Sequence, residues 1–181
     1  PDVPVVQMDS VIGNKSRKVR LTMFSQNTNL LLAFLRDHNT ARSVLDVFND
    51  LYAMFGRETY CRLFPVILTD RGSEFSNPVP IEQDENDELR SLVFYCNPSA
   101  PYQKGGIEVA HELVRRVLPK GKSFDDLQQE DIDLMLSHIN SYKRGKLNSR
   151  SAYQLFNFIY GDDILSKLNI REIEANDIVL S

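Results

Sequence analysis

The sequence predicts an α/β fold built on a five-stranded mixed sheet flanked by helices, and three features point there. Two β-rich runs meet at a Gly-Asn turn near the start, a helical repeat stands between apolar strand-like runs, and the later part of the chain reads as helix. In the first run, "PDVPVVQMDSVIG", β-branched residues lead to the turn. "KSRKVRLTMFSQN" then alternates Val19, Leu21 and Met23 on one face, so the pair reads as a hairpin. "LLLAFLRD" is apolar enough for a central strand. The period changes in "NTARSVLDVFNDLYAMFG", where Val44, Val47, Phe48, Leu51, Met54 and Phe55 recur at helical spacing, with Asn39 or Thr40 as cap and Gly56 as stop. "FPVILTD" follows as a short buried strand, which makes a βαβ crossover. "SLVFYCNP" is the fifth strand. "GIEVAHELVRRVLP" buries Ile107, Ala110, His111, Val114 and Val117 or Leu118 on one face, and "FDDLQQEDIDLMLSHINSY" and "SAYQLFNFIYG" are two further amphipathic helices.

The chain has 181 residues and 42% hydrophobic content, which suits one domain over residues 1–181 with a core of its own. No apolar run approaches the ~18 residues of a membrane span, and no signal-peptide pattern opens the chain. A soluble, cytoplasmic protein is expected. Cys61 and Cys96 form no CxxC pair and read as buried free thiols. His38, His111 and His138 lack ligand spacing and read as ordinary histidines.

Net charge is −4, yet the charges are segregated. "EQDENDELR", residues 82–90, holds five acids against one arginine and is expected as a loop, with disorder compatible with its composition. "SYKRGKLNSR" and "NKSRKVR" each carry four basic residues and no acid. Such a run is either a solvated face or a patch for an acidic partner.

The chemistry rests on three carboxylates. In open α/β sheets, ligands gather beyond the carboxyl ends of parallel strands, and Asp70 ends the run "LTDRGSEF" at such a place. Asp9 sits inside an apolar strand, where its charge needs hydrogen bonds or a cation. Glu108 opens the long helix just after "QKGG". If the first and fourth strands are neighbours, the three converge, and oxygen donors without His or Cys suit Mg²⁺ or Mn²⁺. Blander roles exist for two of them: Asp70 as a turn residue before Gly72, Glu108 as a first-turn acid answering the helix dipole.

"MDSVIG", "LTDRGSEFSNP", "NPSAPYQKGGIEVAHELVRRVLPKG" and "HINSYKRGKLNSRSAYQLF" resemble the catalytic core of bacterial insertion-sequence transposases of the IS-thirty branch. That branch lies within the DDE transposase and retroviral integrase superfamily, which has a ribonuclease H-like fold. The resemblance covers essentially the whole chain and is most specific from Pro98 to Gly121. It implies that Asp9, Asp70 and Glu108 are the DDE triad, with 37 residues between the last two. It further implies two Mg²⁺ or Mn²⁺ ions, nicking and strand transfer of DNA at transposon ends and target, and a homo-oligomer on that DNA near the bacterial nucleoid. Family members carry a helix-turn-helix region ahead of the core, so the chain is expected to be a core lacking it. In the superfamily a basic residue seven positions after the glutamate contacts DNA, and Arg115 matches it. Arg116, Lys104, Lys120 and Lys122 beside the same helix, with Lys143, Arg144 and Lys146 further on, are expected to neutralise phosphates.

Two departures stand out. The family has two asparagines after the glutamate, where this chain has Val109 and Ala110, and Arg71 stands where many relatives have asparagine. Glu112 is the rival of Glu108 on the same helix face and is expected to pair with Arg115 or Arg116. Glu74 is expected to be a supporting or structural acid. Two other readings accompany the transposase: a ribonuclease H-like nuclease without strand transfer, and an inactive remnant that binds DNA or its own copy.

Overall fold

The computed structural model describes residues 3–13, 15–97, 105–117 and 123–179. Strands β1 (Val5–Ile12), β2 (Val19–Ser25) and β3 (Leu31–Arg36) form an antiparallel meander, as the alternation of the first two runs predicts. Helix α1 (Ala41–Leu63) then crosses to β4 (Val66–Thr69), which lies parallel to β1. A short helix α2 (Val79–Glu82) precedes β5 (Leu92–Tyr95), parallel to β4. The sheet order is β3-β2-β1-β4-β5, so the first and fourth strands are neighbours and β1 is central. Helices α3 (Gly105–Val117) and α4 (Gln129–Ser141), a two-stranded ribbon of β6 (Lys143–Arg144) and β7 (Arg150–Ser151), and helices α5 (Ala152–Tyr160) and α6 (Asp163–Lys167) complete the described chain.

Alternation in β1 splits its side chains between two helical layers. Gln7 and Asp9 face α3: the Ile107 amide donates to Gln7 Oε1 at 2.9 Å, and Gly106 lies against the ring of Phe24, the cross-strand partner of Gln7. Ser10 faces the other way with Val6 and Met8. There Arg36 donates to Ser10 Oγ at 2.9 Å and to Ser43 Oγ at the start of α1 at 2.6 Å. One hydrophobic core runs through both layers, from Val6 and Met8 through Phe48, Leu51 and Tyr60 to Ile107, Val114, Ile132 and Leu165.

Several expectations change. Of the two expected caps of α1 it is Thr40 that serves, its hydroxyl accepting from Ser43 N. Gly56 does break the helix, with φ 76°, but a second helical segment runs on to Leu63 because Tyr60 and Leu63 still face the core. Met54 is 42% exposed despite its helical spacing. β3 is an edge strand rather than a central one. Its outer backbone is sealed by α4 side-chain amides: Asn140 bonds both Leu31 N and Leu31 O, and Gln129 bonds Leu35 N and Ala33 O. These bonds occupy four of the backbone groups that an open edge would expose. The helix expected from Phe124 starts only at Gln129, because Asp125 is spent accepting from Arg17 N and Lys18 N.

The acidic run 82–90 is ordered. Asp84 organises it, with Oδ1 accepting from Asn86 N at 2.8 Å and Glu88 N at 3.0 Å, while Oδ2 accepts from Tyr52 Oη at 2.9 Å. Arg90 is buried beside it, donating to Ile81 O, Pro80 O and Asn49 Oδ1, its guanidinium 5.0 Å from the Tyr52 ring centroid. Cys96 is buried and Cys61 half-buried, both free thiols.

Candidate active site

The parallel register of β1 on β4 aligns Val5 with Val66, Val6 with Ile67 and Gln7 with Leu68. Carried forward at the same step, it sets Asp9 level with Asp70, the residue just past the end of β4. Side chains at one level of adjacent parallel strands share a face. Asp9 is half-buried and Asp70 exposed, as suits a strand interior and a strand end. Asp70 Oδ1 accepts from Gly72 N at 2.9 Å, a turn that holds the carboxylate at the strand end. The turn reading of Asp70 therefore holds, and it does not remove the acid from the site.

α3 begins with Gly105 and Gly106. A Cβ on Gly106 would lie 2.4 Å from Phe24 Cε1, so glycine there permits the close approach of helix to sheet. The bond from Ile107 N to Gln7 Oε1 then fastens the first turn. It ties the residue before Glu108 to the residue two before Asp9. Glu108 is exposed on that first turn, and Ile107, Ala110, His111, Leu113 and Val114 bury the opposite face. Among the described residues, no group of three or more His, Cys, Asp or Glu side chains is close enough together to hold a metal ion. The structure thus brings Asp9 and Asp70 onto one face and Glu108 onto the adjoining helix turn, without closing the three around one point. The donor set, carboxylates alone, fits a hard divalent cation.

Glu74 stands close by. A Cβ on Gly72 would meet Glu74 Oε2 at 2.7 Å and Asp70 Oδ1 at 3.1 Å, so the two carboxylates flank one glycine. Burial lowers the Arg36 pKa, and the charge of Glu74 opposes that shift. Arg71 stacks on Tyr95, 5.9 Å from the ring centroid.

The basic residues separate into groups. Arg115 and Arg116 are exposed on α3, and Lys143 and Lys146 are exposed at the β6–β7 ribbon. Lys104, Lys120 and Lys122 lie outside the described residues. Arg144 is not the surface cation expected: it is 8% exposed, and its three guanidinium nitrogens are buried without a hydrogen-bond partner among the described residues. Packing of the ribbon turns alternate side chains inward, and burial lowers the Arg144 pKa. Glu112 is exposed and makes no ion pair with Arg115 or Arg116; the ion pairs among the described residues are Arg42–Asp46, Arg57–Asp84 and Arg57–Glu88.

Sequence reasoning missed Gln7 and Arg20. Gln7 was legible, since strand alternation puts it on the face of Asp9. Arg20 was hidden inside a basic run that counts as solvated charge, yet it is 4% exposed. Its guanidinium lies 5.4 Å from the Phe124 ring centroid, and its Nε donates to Thr22 Oγ1 at 3.2 Å. Thr22 is the direct cross-strand partner of Asp9.

Comparison with known proteins matches this geometry to a fold. No family model matches the chain. It is 28% identical over 151 residues to the "Putative integrase ORF3" of Spiroplasma virus SpV1-R8A2 B, covering 83% of this chain and 45% of that protein. It is 23% identical over 151 residues to the transposase for insertion sequence element IS4351 of Bacteroides fragilis, covering 83% of this chain and 44% of that protein. The chain thus spans less than half the length of these curated relatives. Among solved structures, the catalytic core domain of BIV integrase superposes with a TM-score of 0.60 at 22% identity, covering 90% of this chain and 97% of that one. The HTLV-2 integrase catalytic core, solved in complex with magnesium in a trimeric form, superposes with a TM-score of 0.58 at 12% identity, covering 83% of this chain and 94% of that one. The fold is that of an integrase catalytic core, ribonuclease H-like, as the sequence motifs imply.

Proposed function

We propose, from a chain whose homologues are integrases and IS30-family transposases and whose fold is that of an integrase catalytic core, that it is the catalytic core of a DDE transposase. In this reading it nicks transposon-end DNA and joins the freed 3′-hydroxyl to target DNA. The observation that carries the reading is the level placement of Asp9 and Asp70 on one sheet face, with the Glu108 turn fastened beside them through Gln7 and Ile107. Asp9, Asp70 and Glu108 would hold divalent cations, Mg²⁺ or Mn²⁺, which supply Lewis-acid stabilisation of the phosphoryl group and an activated oxygen nucleophile. Glu108 has to turn toward the two aspartates to complete that set. Gln7 sets the helix start, and Asp70 is held by its turn to Gly72.

The partner is DNA, met by the exposed arginines of α3, and the working form is a homo-oligomer, since joining two ends calls for two active sites. Cytoplasmic localisation follows from that partner. Among the described residues no helix is long and apolar enough to cross a membrane.

The test is strand transfer of a labelled transposon-end duplex into plasmid DNA in Mn²⁺, comparing the protein with Asp70→Asn. Loss of joining in a variant that melts normally is the expected result. Near-normal joining by that variant sinks the proposal, and cleavage of an RNA–DNA hybrid without any joining turns it into a nuclease. An isothermal titration that finds no carboxylate-dependent Mn²⁺ binding would instead mark an inert remnant.

A further inference from the structure

Arg71 stands beside two carboxylates and forms an ion pair with neither. It follows Asp70 directly and precedes Glu74 by three residues, and an oxygen of each acid lies where a Cβ on Gly72 would meet it. Charge alone would turn the guanidinium to one of them. The ion pairs among the described residues lie elsewhere, and Arg71, exposed at the strand end, lies instead over the ring of Tyr95, 5.9 Å from the centroid.

Strand alternation supplies the first reason. Tyr95 on β5 is level with Thr69 on β4, so its ring stands on the face opposite that of Asp70, and Arg71, two residues past Thr69, follows the ring's side. The ring itself is fixed. Tyr95 Oη donates to Phe75 O, and Phe75 is 1% exposed in the core, its amide donating to Gly72 O at 2.9 Å. The next residue, Cys96, donates its backbone N–H to Thr69 O at 2.7 Å. The end of β5 thus grips the chain on both sides of Asp70, and the face of Tyr95 holds the cation by its ring quadrupole.

We infer that Tyr95 is a positioning residue that parks Arg71 away from the Asp70 carboxylate and so keeps the oxygens of that acid for a divalent cation. The need for it is particular to this chain, because Arg71 stands where many relatives have asparagine, which carries no charge to compete with a metal. With the ring gone, the guanidinium would have the two carboxylates as its partners, and an incoming cation would have to displace it. The inference rests on the metal-site reading of Asp70, and its test separates the two.

The experiment is isothermal titration of Mn²⁺ into the parent, Tyr95→Leu, Tyr95→Phe, Arg71→Asn and Tyr95→Leu with Arg71→Asn, beside nuclear Overhauser spectra of the parent in EDTA. Tyr95→Leu should bind Mn²⁺ about three- to fivefold more weakly, the scale of one exposed ion pair. Adding Arg71→Asn should bring the affinity back to within about twofold of the parent, since the competing cation is then gone. Arg71→Asn alone and Tyr95→Phe alone should also stay within about twofold, because a parked cation is not on the acid and phenylalanine keeps the ring. An unchanged affinity in Tyr95→Leu overturns the parking. So does a loss that Arg71→Asn does not restore, which would make Tyr95 only a prop for the turn through Phe75. If Tyr95→Leu does not fold, the parent decides: Overhauser contacts between the Arg71 δ protons and the Tyr95 ring support the parking, and their absence overturns it. Those contacts in a parent without Asp70-dependent Mn²⁺ binding would fail the metal-site reading and leave the parking standing. Asp70-dependent binding of equal strength in the parent and Tyr95→Leu would do the reverse.

Discussion

Gln7 Oε1 accepts the Ile107 amide at 2.9 Å across 100 residues of sequence, and this bond joins the strand of Asp9 to the helix of Glu108. Both partners are buried, at 3% and 0% exposure, so the bond is not shared with bulk water. Replacing Gln7 by leucine keeps the bulk but strands a buried N–H, at a cost of about 1–3 kcal/mol. Because misplacing a reacting group by about 1 Å can cost 10²-fold in rate, strand transfer should fall by about 10- to 100-fold. Urea denaturation and the joining assay together check this; a destabilised variant with full joining would make the tether structural only.

The two glycines that open α3 should respond oppositely to alanine. At Gly105 nothing lies within 4 Å of an added Cβ, so Gly105→Ala should be neutral or stabilising by up to about 1 kcal/mol through helix propensity. At Gly106 the Cβ meets Phe24 Cε1 at 2.4 Å, and overpacking of about 1–3 kcal/mol outweighs the same propensity gain. Trimming the ring should restore part of the loss, so Gly106→Ala with Phe24→Leu should be less destabilised than the sum of the single changes. Additive effects in the cycle would place the clash elsewhere.

Asp84 should hold the acidic loop by its ionised form. Its pKa lies below the ordinary carboxylate value, chiefly through the Glu88 amide bond, with Asn86, Tyr52 and Arg57 adding to it against desolvation. A depressed native pKa means a stabilising contribution present above the unfolded pKa and lost as pH falls through the native one. Hydrogen exchange at the Asn86 and Glu88 amides should therefore lose protection in Asp84→Ala at neutral pH, and in the parent on acidification. Retained protection in the variant would assign the loop order to other contacts.

Tyr60 should act at the alkaline end. It is fully buried, and burial raises its pKa to about 12; Ser91 beside it opposes that shift, but its hydroxyl is spent on Phe64 O at 2.6 Å. With the native pKa above the unfolded value of about 10, the folded state holds its proton longer, and stability falls as pH rises between the two. The loss reaches about 1 kcal/mol by pH ~11. Tyr60→Phe should match the parent at neutral pH, having removed a hydroxyl without a hydrogen-bond partner among the described residues, and should lose less stability between pH ~8 and ~11. Parallel pH profiles for the two proteins would remove Tyr60 from the account.

Local pattern alone determined the hairpin, the crossover through α1, the parallel strand that stops just before Asp70, and the buried face of α3 through Ile107, Ala110, His111 and Val114. Alternation and helical spacing report which face of one element is buried, and for these elements that was enough. Tertiary structure decided what no local period encodes. It set β1 beside β4, so that Asp9 comes level with Asp70, and it moved β3 to an edge sealed by Asn140 and Gln129. It also turned two arginines of basic runs inward, Arg20 onto Phe124 and Arg144 into the ribbon. The reason is physical: charge in a sequence counts valence, whereas burial depends on which distant surface packs over it. For Arg20 that surface is Phe124, brought there from the far side of the β1–β2 turn by the bond from its amide to Ser16 Oγ.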